Sequence, residues 1–156
     1  MTAEQVFSIA NAVALVGWLI LVVAGRARWA AALVTGACLP LLLAVLYSGL
    51  LIGHWGEAQG GFGTLAGVQA LFSNPWLMLA GWVHYLAFDL FIGSWQVRDA
   101  RVQQIPHLAV VPALILTFLF GPVGLALYFV IRVFKTRTLR LDSASGGTQA
   151  SCGRRS

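Results

Sequence analysis

The sequence predicts an all-α integral membrane protein, a bundle of about four transmembrane helices with a kinked fourth helix. Two observations predict this fold. Of the 156 residues, 59% are hydrophobic and only 10% are charged, and the mean hydropathy is +0.83, which is far more apolar than a typical soluble domain. The apolar residues also fall into runs of about 20 or more, the length that a helix needs to cross a hydrocarbon core.

The first two helices are predicted to form a tight hairpin. Residues 6–24 form the first apolar run. This run is too long for the h-region of a signal peptide and follows the acidic Glu4, so we expect it to remain as a helix. The basic segment 25–28 ends it, because charged residues favour the bilayer surface. The second helix, 29–51, follows almost at once, and Pro40 is expected to bend it.

A Gly-rich loop is predicted between the second and third helices. Residues 53–73 are too polar to cross the bilayer core. In their second half the apolar residues are loosely spaced as on one face of a helix, which predicts a short surface helix there. Ser73, Asn74 and Pro75 then give a helix-start signal, because a capping side chain precedes a proline whose φ is already helical. The third helix is therefore expected over 75–97.

The fourth helix is predicted over 106–134, with a kink at Gly121 and Pro122. At nearly 30 residues it either crosses the bilayer tilted and kinked or turns back inside it. Each half would have only about 14 residues, which is short for a crossing, so the crossing form is preferred and both termini are expected on the same side. Residues 1–141 would form the membrane domain, and 142–156 a disordered polar tail.

The basic charge of the chain predicts contact with a lipid surface and not with nucleic acid. Ten Arg and Lys against five Asp and Glu give a net charge of +5, but most basic residues lie beside apolar runs, where they anchor helices. With four crossings these residues divide evenly between the two sides, so the positive-inside rule does not orient the chain. Nine Arg for one Lys, without transit-peptide character, favour a bacterial inner membrane.

Asp89 is the most informative residue for function. It lies near the middle of the third apolar run, where an ionised carboxylate costs about 2.5 to 3.5 kcal/mol, so it should face the protein interior or a water cavity and have a polar partner. Steps of three and four place it in one polar-aromatic seam of six residues. The seam consists of Trp82, Tyr85, Asp89, Ile92, Gln96 and Asp99.

His84 lies in the same run, five positions before Asp89. At about 100° per residue the two side chains point about 140° apart, so a straight helix cannot hold them as a pair on one face. Both are expected to be buried from lipid and to contact polar groups on other helices. The candidates for those contacts are Asn11, Thr35, Thr117 and Tyr128.

Few other side chains indicate chemistry. Arg98, Asp99 and Arg101 are expected to form a charge cluster at the interface, with a ligand-binding role as the less favoured alternative. His107 begins the fourth helix, where a histidine at the interface needs no special explanation. The sequence has no phosphate loop, nucleophile elbow or zinc motif. Hydrolase and nucleotide chemistry are therefore not predicted, and neither a metal nor a cofactor is expected.

The segment from Trp82 to Phe91, Trp-Val-His-Tyr-Leu-Ala-Phe-Asp-Leu-Phe, followed by Asp99, resembles the abscisic-acid-deficient-four-like family. The likeness continues in Asn74-Pro75-Trp76, Pro106-His107 and Gly121-Pro122-Val-Gly124. Family members resemble four-helix membrane proteins, and the plant members are required for neoxanthin formation in carotenoid metabolism. The resemblance therefore implies a role near carotenoid or other isoprenoid chemistry.

The first functional hypothesis under this resemblance is an isomerase of a carotenoid or another isoprenoid. Such an enzyme needs an acid and a base inside an apolar slot that opens to lipid. Asp89 is assigned as the acid and His84 as the base or hydrogen-bonding group. Substrate-binding roles are assigned to Trp82, Tyr85, Trp95, Arg98, Asp99 and His107.

Two other classes of function stay open. In the first, the chain is a non-catalytic scaffold, or a lipid- or carotenoid-binding partner of another membrane enzyme, and Asp89 and His84 only lock the bundle. In the second, a proton-coupled transporter, the same two residues would form a relay, but no inverted repeat relates the two halves. The expected partners are membrane lipid, an isoprenoid ligand and another membrane enzyme.

Overall fold

The structure, a computed structural model, describes residues 1–30 and 38–137, and these form helices and connecting turns without any strand. The predicted all-α fold is confirmed. Residue 35 and the predicted tail 142–156 lie outside the described residues. The helices are α1 (Ala3–Ala24), α2 (Leu39–His54), α3 (Leu65–Phe72), α4 (Pro75–Val102), α5 (His107–Phe120) and α6 (Pro122–Thr136), and a 3-10 turn, Trp55–Glu57, extends α2.

Three helical segments are long and apolar enough to cross a membrane: Ala3–Ala24, Leu39–Glu57 and Pro75–Val102. They fall on the first three apolar runs of the sequence. The next helix, α5, is apolar but has only 14 residues. The 28-residue α4 lies at the centre, and α1, α2, α3 and the α5–α6 segment all pack against it.

The start of α4 is where the Ser-Asn-Pro signal predicts it. Asn74 is the N-cap, and its Oδ1 accepts hydrogen bonds from the backbone N–H groups of Trp76 at 2.9 Å and Leu77 at 3.4 Å. Pro75 occupies the first helical position, where its missing N–H costs no hydrogen bond. The short surface helix predicted before this point is α3, which packs Leu71 into the bundle.

Glycine lets α1 and α4 approach closely. A Cβ atom at Gly93 would lie 2.6 Å from the Trp18 ring, and one at Gly17 would lie 2.9 Å from the Leu90 side chain. Both glycines are therefore needed for the fit of a large side chain from the opposite helix, as is common where membrane helices pack. This packing fixes the face of α4 that α1 covers.

The fourth predicted helix is broken at Gly121, and its two halves fold back on each other. Gly121 has a positive φ of 48°, which favours glycine. Gly124 lies directly against Thr117 and Ala113 of α5, although residues 113 and 124 of one straight helix would be about 16 Å apart. The kink at Gly121 and Pro122 is therefore sharp enough to form a helical hairpin. The hairpin geometry is that of the re-entrant form and not of the preferred single kinked helix.

The hairpin brings the end of α6 back to the end of α4. Arg132 on α6 forms an ion pair with Asp99 on α4, with 2.8 Å between Nε and Oδ2. Arg101 of α4 in turn reaches Ala27, just after α1, at 2.8 Å. The expectation that Arg132 and its neighbours lie on the opposite side from Arg101 is thus wrong. All these basic groups lie at one end of the bundle, and the two termini of the described chain lie at opposite ends.

Candidate functional site around Asp89

The tip of the α5–α6 hairpin meets the Asp89 carboxyl group. A Cβ atom at Gly121 would lie 3.1 Å from Asp89 Oδ1 and 3.3 Å from Oδ2, so only glycine lets the turn come this close. Because Asp89 lies midway along α4, the hairpin ends near the middle of this long apolar helix. The sequence identified both Asp89 and the Gly-Pro break, but it gave no indication that they touch.

The two oxygens of Asp89 are not fully satisfied. Tyr85, one turn earlier on α4, is close enough for its hydroxyl to interact with the carboxyl group. Even so, Asp89 Oδ2 is buried and has no hydrogen-bond partner among the described residues. A buried polar atom without a partner is uncommon, because it carries a desolvation cost that no bond offsets. It is therefore a candidate for a functional group.

The other polar members of the seam are paired with neighbouring helices. Trp82 Nε1 donates to Asn11 Oδ1 of α1 at 3.1 Å. Gln96 Nε2 donates to Thr117 Oγ1 of α5 at 3.0 Å, and both residues are buried. The seam therefore runs along the face of α4 that meets first α1 and then the hairpin. The steps of three and four residues between its members had predicted that they share one face of the helix.

Asp99 closes the seam with a buried network. Its Oδ2 accepts hydrogen bonds from Tyr128 Oη at 2.6 Å and from Arg132 Nε at 2.8 Å. Tyr128 and Arg132 are both fully buried, and the Trp95 ring packs edge-on against Tyr128 with 5.5 Å between centroids. The contacts of Asp99 and Trp95 thus hold α6 on α4. Sequence reasoning missed Arg132, because the crossing form placed it on the other side.

Of the expected contacts with Asp89 and His84, none involves the candidate side chains that the structure describes. Asn11, Thr117 and Tyr128 are bonded to Trp82, Gln96 and Asp99, respectively. Position 35, the fourth candidate, falls in the undescribed stretch 31–37. These three side chains are therefore bonded to other members of the seam.

His84 lies apart from Asp89, on the side of α4 that faces α2. Its ring packs against Tyr47 of α2, with 5.5 Å between centroids, and against Phe88, at 4.6 Å. Its side chain is exposed at the protein surface and lines an apolar cavity of about 340 Å³ next to Tyr47, Leu51 and Phe72. His84 and Asp89 thus do not form a pair on one face of α4, as expected from the angle of about 140° between their side chains around the helix axis. His84 is thus exposed and not enclosed by the bundle, so its expected burial from lipid stays a prediction.

The hairpin does not reach the part of the seam between its tip and the start of α4, which α1 borders on one side. Pro75 and Asp89 are separated by 14 residues, or about 21 Å of helix, and α5 and α6 reach only the Asp89 end. Trp82 and its ring neighbour Phe7 on α1 are each 40% exposed, and the Tyr85 ring lies 5.5 Å from Trp82. We call this surface, formed by Phe7, Asn11, Trp82 and Tyr85, the open face. Asp89 lies at the end of the open face that meets the hairpin tip.

The remaining predicted residues lie at the far end of α4. His107 Nε2 lies 2.9 Å from the Val22 carbonyl oxygen, and Arg101 donates to the carbonyl oxygens of Gly25 and Ala27. Both side chains thus cap the end of α1. Arg98 lies over the Phe91 ring. Among the residues described, no group of three or more His, Cys, Asp or Glu is arranged to hold a metal ion.

Comparison with known proteins gives two matches. A family model described as ABA DEFICIENT 4-like matches residues 5–128, from α1 into α6. Protein ABA DEFICIENT 4, chloroplastic, of Arabidopsis thaliana is 27% identical over 138 residues, which cover 83% of this chain and 61% of that protein. The chain thus spans less than two thirds of the length of that relative. No solved structure matches.

Proposed function

Because the chain belongs to the ABA DEFICIENT 4-like family, we propose that it is a multi-pass protein of a bacterial inner membrane that acts in carotenoid or other isoprenoid metabolism. Its ligand would enter from the bilayer and lie along the open face. The family is linked to neoxanthin synthesis, and a polyene or isoprenoid chain is apolar enough to lie against Phe7 and Trp82. Three helices suited to a membrane support the same setting.

The observation that carries the proposal is the buried, unpartnered Oδ2 of Asp89 at the end of the open face. A carboxyl group in an apolar environment favours its protonated form and can donate that proton to a bound ligand. The acceptor would be an epoxide oxygen, whose protonation breaks a C–O bond, or a polyene carbon, whose protonation forms a C–H bond at the expense of a C=C π bond; either step leaves a carbocation on the ligand. The carboxylate left behind, next to the Tyr85 hydroxyl, would take a proton from a neighbouring carbon, so the net reaction is an isomerisation without oxidation or reduction.

The proposed partner of Asp89 is Tyr85 and not His84, which the sequence had indicated. Tyr85 lies on the same face as Asp89, whereas His84 faces α2. We therefore assign Asp89 as proton donor and acceptor, with Tyr85 as its hydrogen-bonding group and Trp82 as a wall of the ligand site. His84 would contact only a ligand bound in its own apolar cavity between α2, α3 and α4.

A second candidate function is a non-catalytic, pigment-binding partner of another membrane enzyme. The paired state of Asn11, Gln96 and Asp99 favours it, since the seam otherwise consists of contacts that lock helices together. In that case the Asp89 carboxyl would only hydrogen-bond a polar end group of the pigment. The two candidates differ in whether proton transfer from Asp89 is required.

The test is Asp89→Asn in a host that accumulates carotenoids, with pigment conversion and pigment co-purified with the protein both measured. Asn keeps the size and hydrogen-bonding capacity of Asp but cannot donate an acidic proton. We expect conversion to fall by about a hundredfold or more, while pigment binding and protein level stay near those of wild type. Glu57→Gln, the same change from a carboxyl group to an amide at a residue that is not part of the open face, should leave conversion unchanged.

Two results would decide against the acid role. Full conversion by a well-expressed Asp89→Asn variant would refute proton donation by this residue. Pigment that co-purifies with the wild-type chain without any conversion would favour the binding-partner function. Asp89→Leu serves as a further variant, since it removes the hydrogen bond as well as the proton and should reduce both pigment binding and assembly.

A further inference from the structure

A second cavity lies where the ends of α1 and α4 meet the start of α5. Its volume is about 860 Å³, larger than the cavity next to His84. Four arginines line it, together with His107 and Gln104, and none of the lining residues that the structure describes is acidic. The four arginines are Arg26, Arg28, Arg98 and Arg101. The cavity is therefore strongly positive.

Among the residues that the structure describes, no carboxylate compensates this charge inside the cavity. Asp99, between Arg98 and Arg101 in the sequence, points to the opposite side of α4 and is bonded to Tyr128 and Arg132. Arg28 and Arg101 are close enough to repel each other. The bonds from Arg101 to the carbonyl oxygens at the end of α1 hold its guanidinium in place. A fixed cluster of like charges of this kind is stabilised by an anion.

The position of the cavity indicates how the anion arrives. It lies at the end of α4, a helix long and apolar enough to cross a membrane. Val102, one of its lining residues, is 61% exposed, and Leu108, which follows the lining residue His107 in the sequence, is 83% exposed; we call these exposed apolar residues the apolar rim. Trp29, adjacent to Arg28, is also exposed, and tryptophan favours the headgroup region of a bilayer. A soluble anion would need only the arginine-lined cavity. A lipid would use the cavity for its headgroup and the apolar rim for its acyl chains.

We propose that this cavity binds the phosphate headgroup of an anionic phospholipid, with Arg26, Arg28 and Arg98 contacting the phosphate and the acyl chains lying against the apolar rim. Guanidinium groups suit this ligand, because their planar N–H donors match two phosphate oxygens at once. The site shares no residue with the Asp89 site, so it does not rest on the proposed function. Asp89→Asn should bind the lipid as the wild type does.

The test uses the purified full chain in a non-ionic detergent, titrated with short-chain phosphatidylglycerol, short-chain phosphatidylcholine or inorganic pyrophosphate. Binding is followed by the rise in the thermal unfolding midpoint and by lipid adducts in native mass spectrometry. The variant is Arg26→Gln with Arg28→Gln. The control, Lys135→Gln with Arg137→Gln, removes the same charge at the same end of the bundle but outside the cavity.

We expect the wild-type chain to bind phosphatidylglycerol in preference to phosphatidylcholine. The Arg26 and Arg28 variant should weaken that binding by about tenfold or more, which corresponds to about 1.4 kcal/mol, and the control by less than about twofold. Equal weakening in variant and control would mean a general surface potential and would overturn the site. Pyrophosphate binding without a lipid preference would overturn the lipid assignment, as would the absence of any anion binding.

Discussion

The two carboxylates of α4 differ in how their oxygens are used. Asp99 Oδ2 accepts hydrogen bonds from Tyr128 and Arg132, whereas Asp89 Oδ2 has no partner within the described part of the chain. The first arrangement is typical of a structural lock and the second of a group kept available for a ligand. Substitution of Asp99 should therefore act on stability, and substitution of Asp89 on chemistry.

Asp99→Asn tests the structural lock. The change removes the carboxylate that balances the buried charge of Arg132, and breaking a buried ion pair from one side costs about 3 to 5 kcal/mol. We expect a clear fall in the thermal unfolding midpoint of the purified protein in detergent. Asp99→Asn combined with Arg132→Met removes both charges and should recover much of the loss. A double variant that is less stable than the single one would contradict this account.

The seam could be predicted from the sequence, but its partners could not. The spacing of Trp82, Asp89, Gln96 and Asp99 depends only on the helical repeat, so the sequence alone identifies one face of α4. Which group meets each member depends on how the other helices pack. Arg132 pairs with Asp99 only because α6 turns back, and a prediction based on four crossings cannot bring them together.

The hairpin depends on two glycines with different tasks. Gly121 adopts a positive φ and makes room for the Asp89 carboxyl, and Gly124 lets α6 lie against the Thr117 turn of α5. The Gly-Pro pair in the sequence predicted a break in the helix. The angle of the break was not predictable, because it is set by the contact of Gly124 with a residue seven positions earlier.

Gly124→Ala tests this contact. A Cβ atom there would clash with the backbone N–H and the hydroxyl of Thr117, and overpacking of this kind costs about 1 to 3 kcal/mol. We expect a lower thermal unfolding midpoint. Gly49→Ala is the matched control, because a Cβ atom at this position of α2 meets nothing within 4 Å. It should be neutral or slightly stabilising. Equal effects of the two changes would argue against a tightly packed hairpin.

For the molecule as a whole, the hairpin brings the described basic residues to one end of the bundle, whereas four crossings would divide them evenly between the two sides. The described basic residues lie at the end of the bundle where α1, α4 and α6 finish, and the acidic Glu4 and Glu57 lie at the other end. The positive-inside rule therefore predicts the basic end on the cytoplasmic side. The crossing form assigned the basic residues to both sides, because apolar length alone does not distinguish one long helix from a hairpin.

Labelling of single cysteines tests this topology, in a protein whose Cys38 and Cys152 are replaced by Ser. Glu57→Cys, between α2 and α3, should react with a membrane-impermeant maleimide added to intact bacterial cells, because it lies at the acidic end. Lys135→Cys, near the end of α6, should react only after the membrane is opened. A hairpin that reverses inside the bilayer leaves Lys135 on the side of Arg101, whereas a fourth crossing would place it on the side of Glu57. Labelling of both cysteines in intact cells would therefore rule out the re-entrant hairpin and restore the four-crossing form.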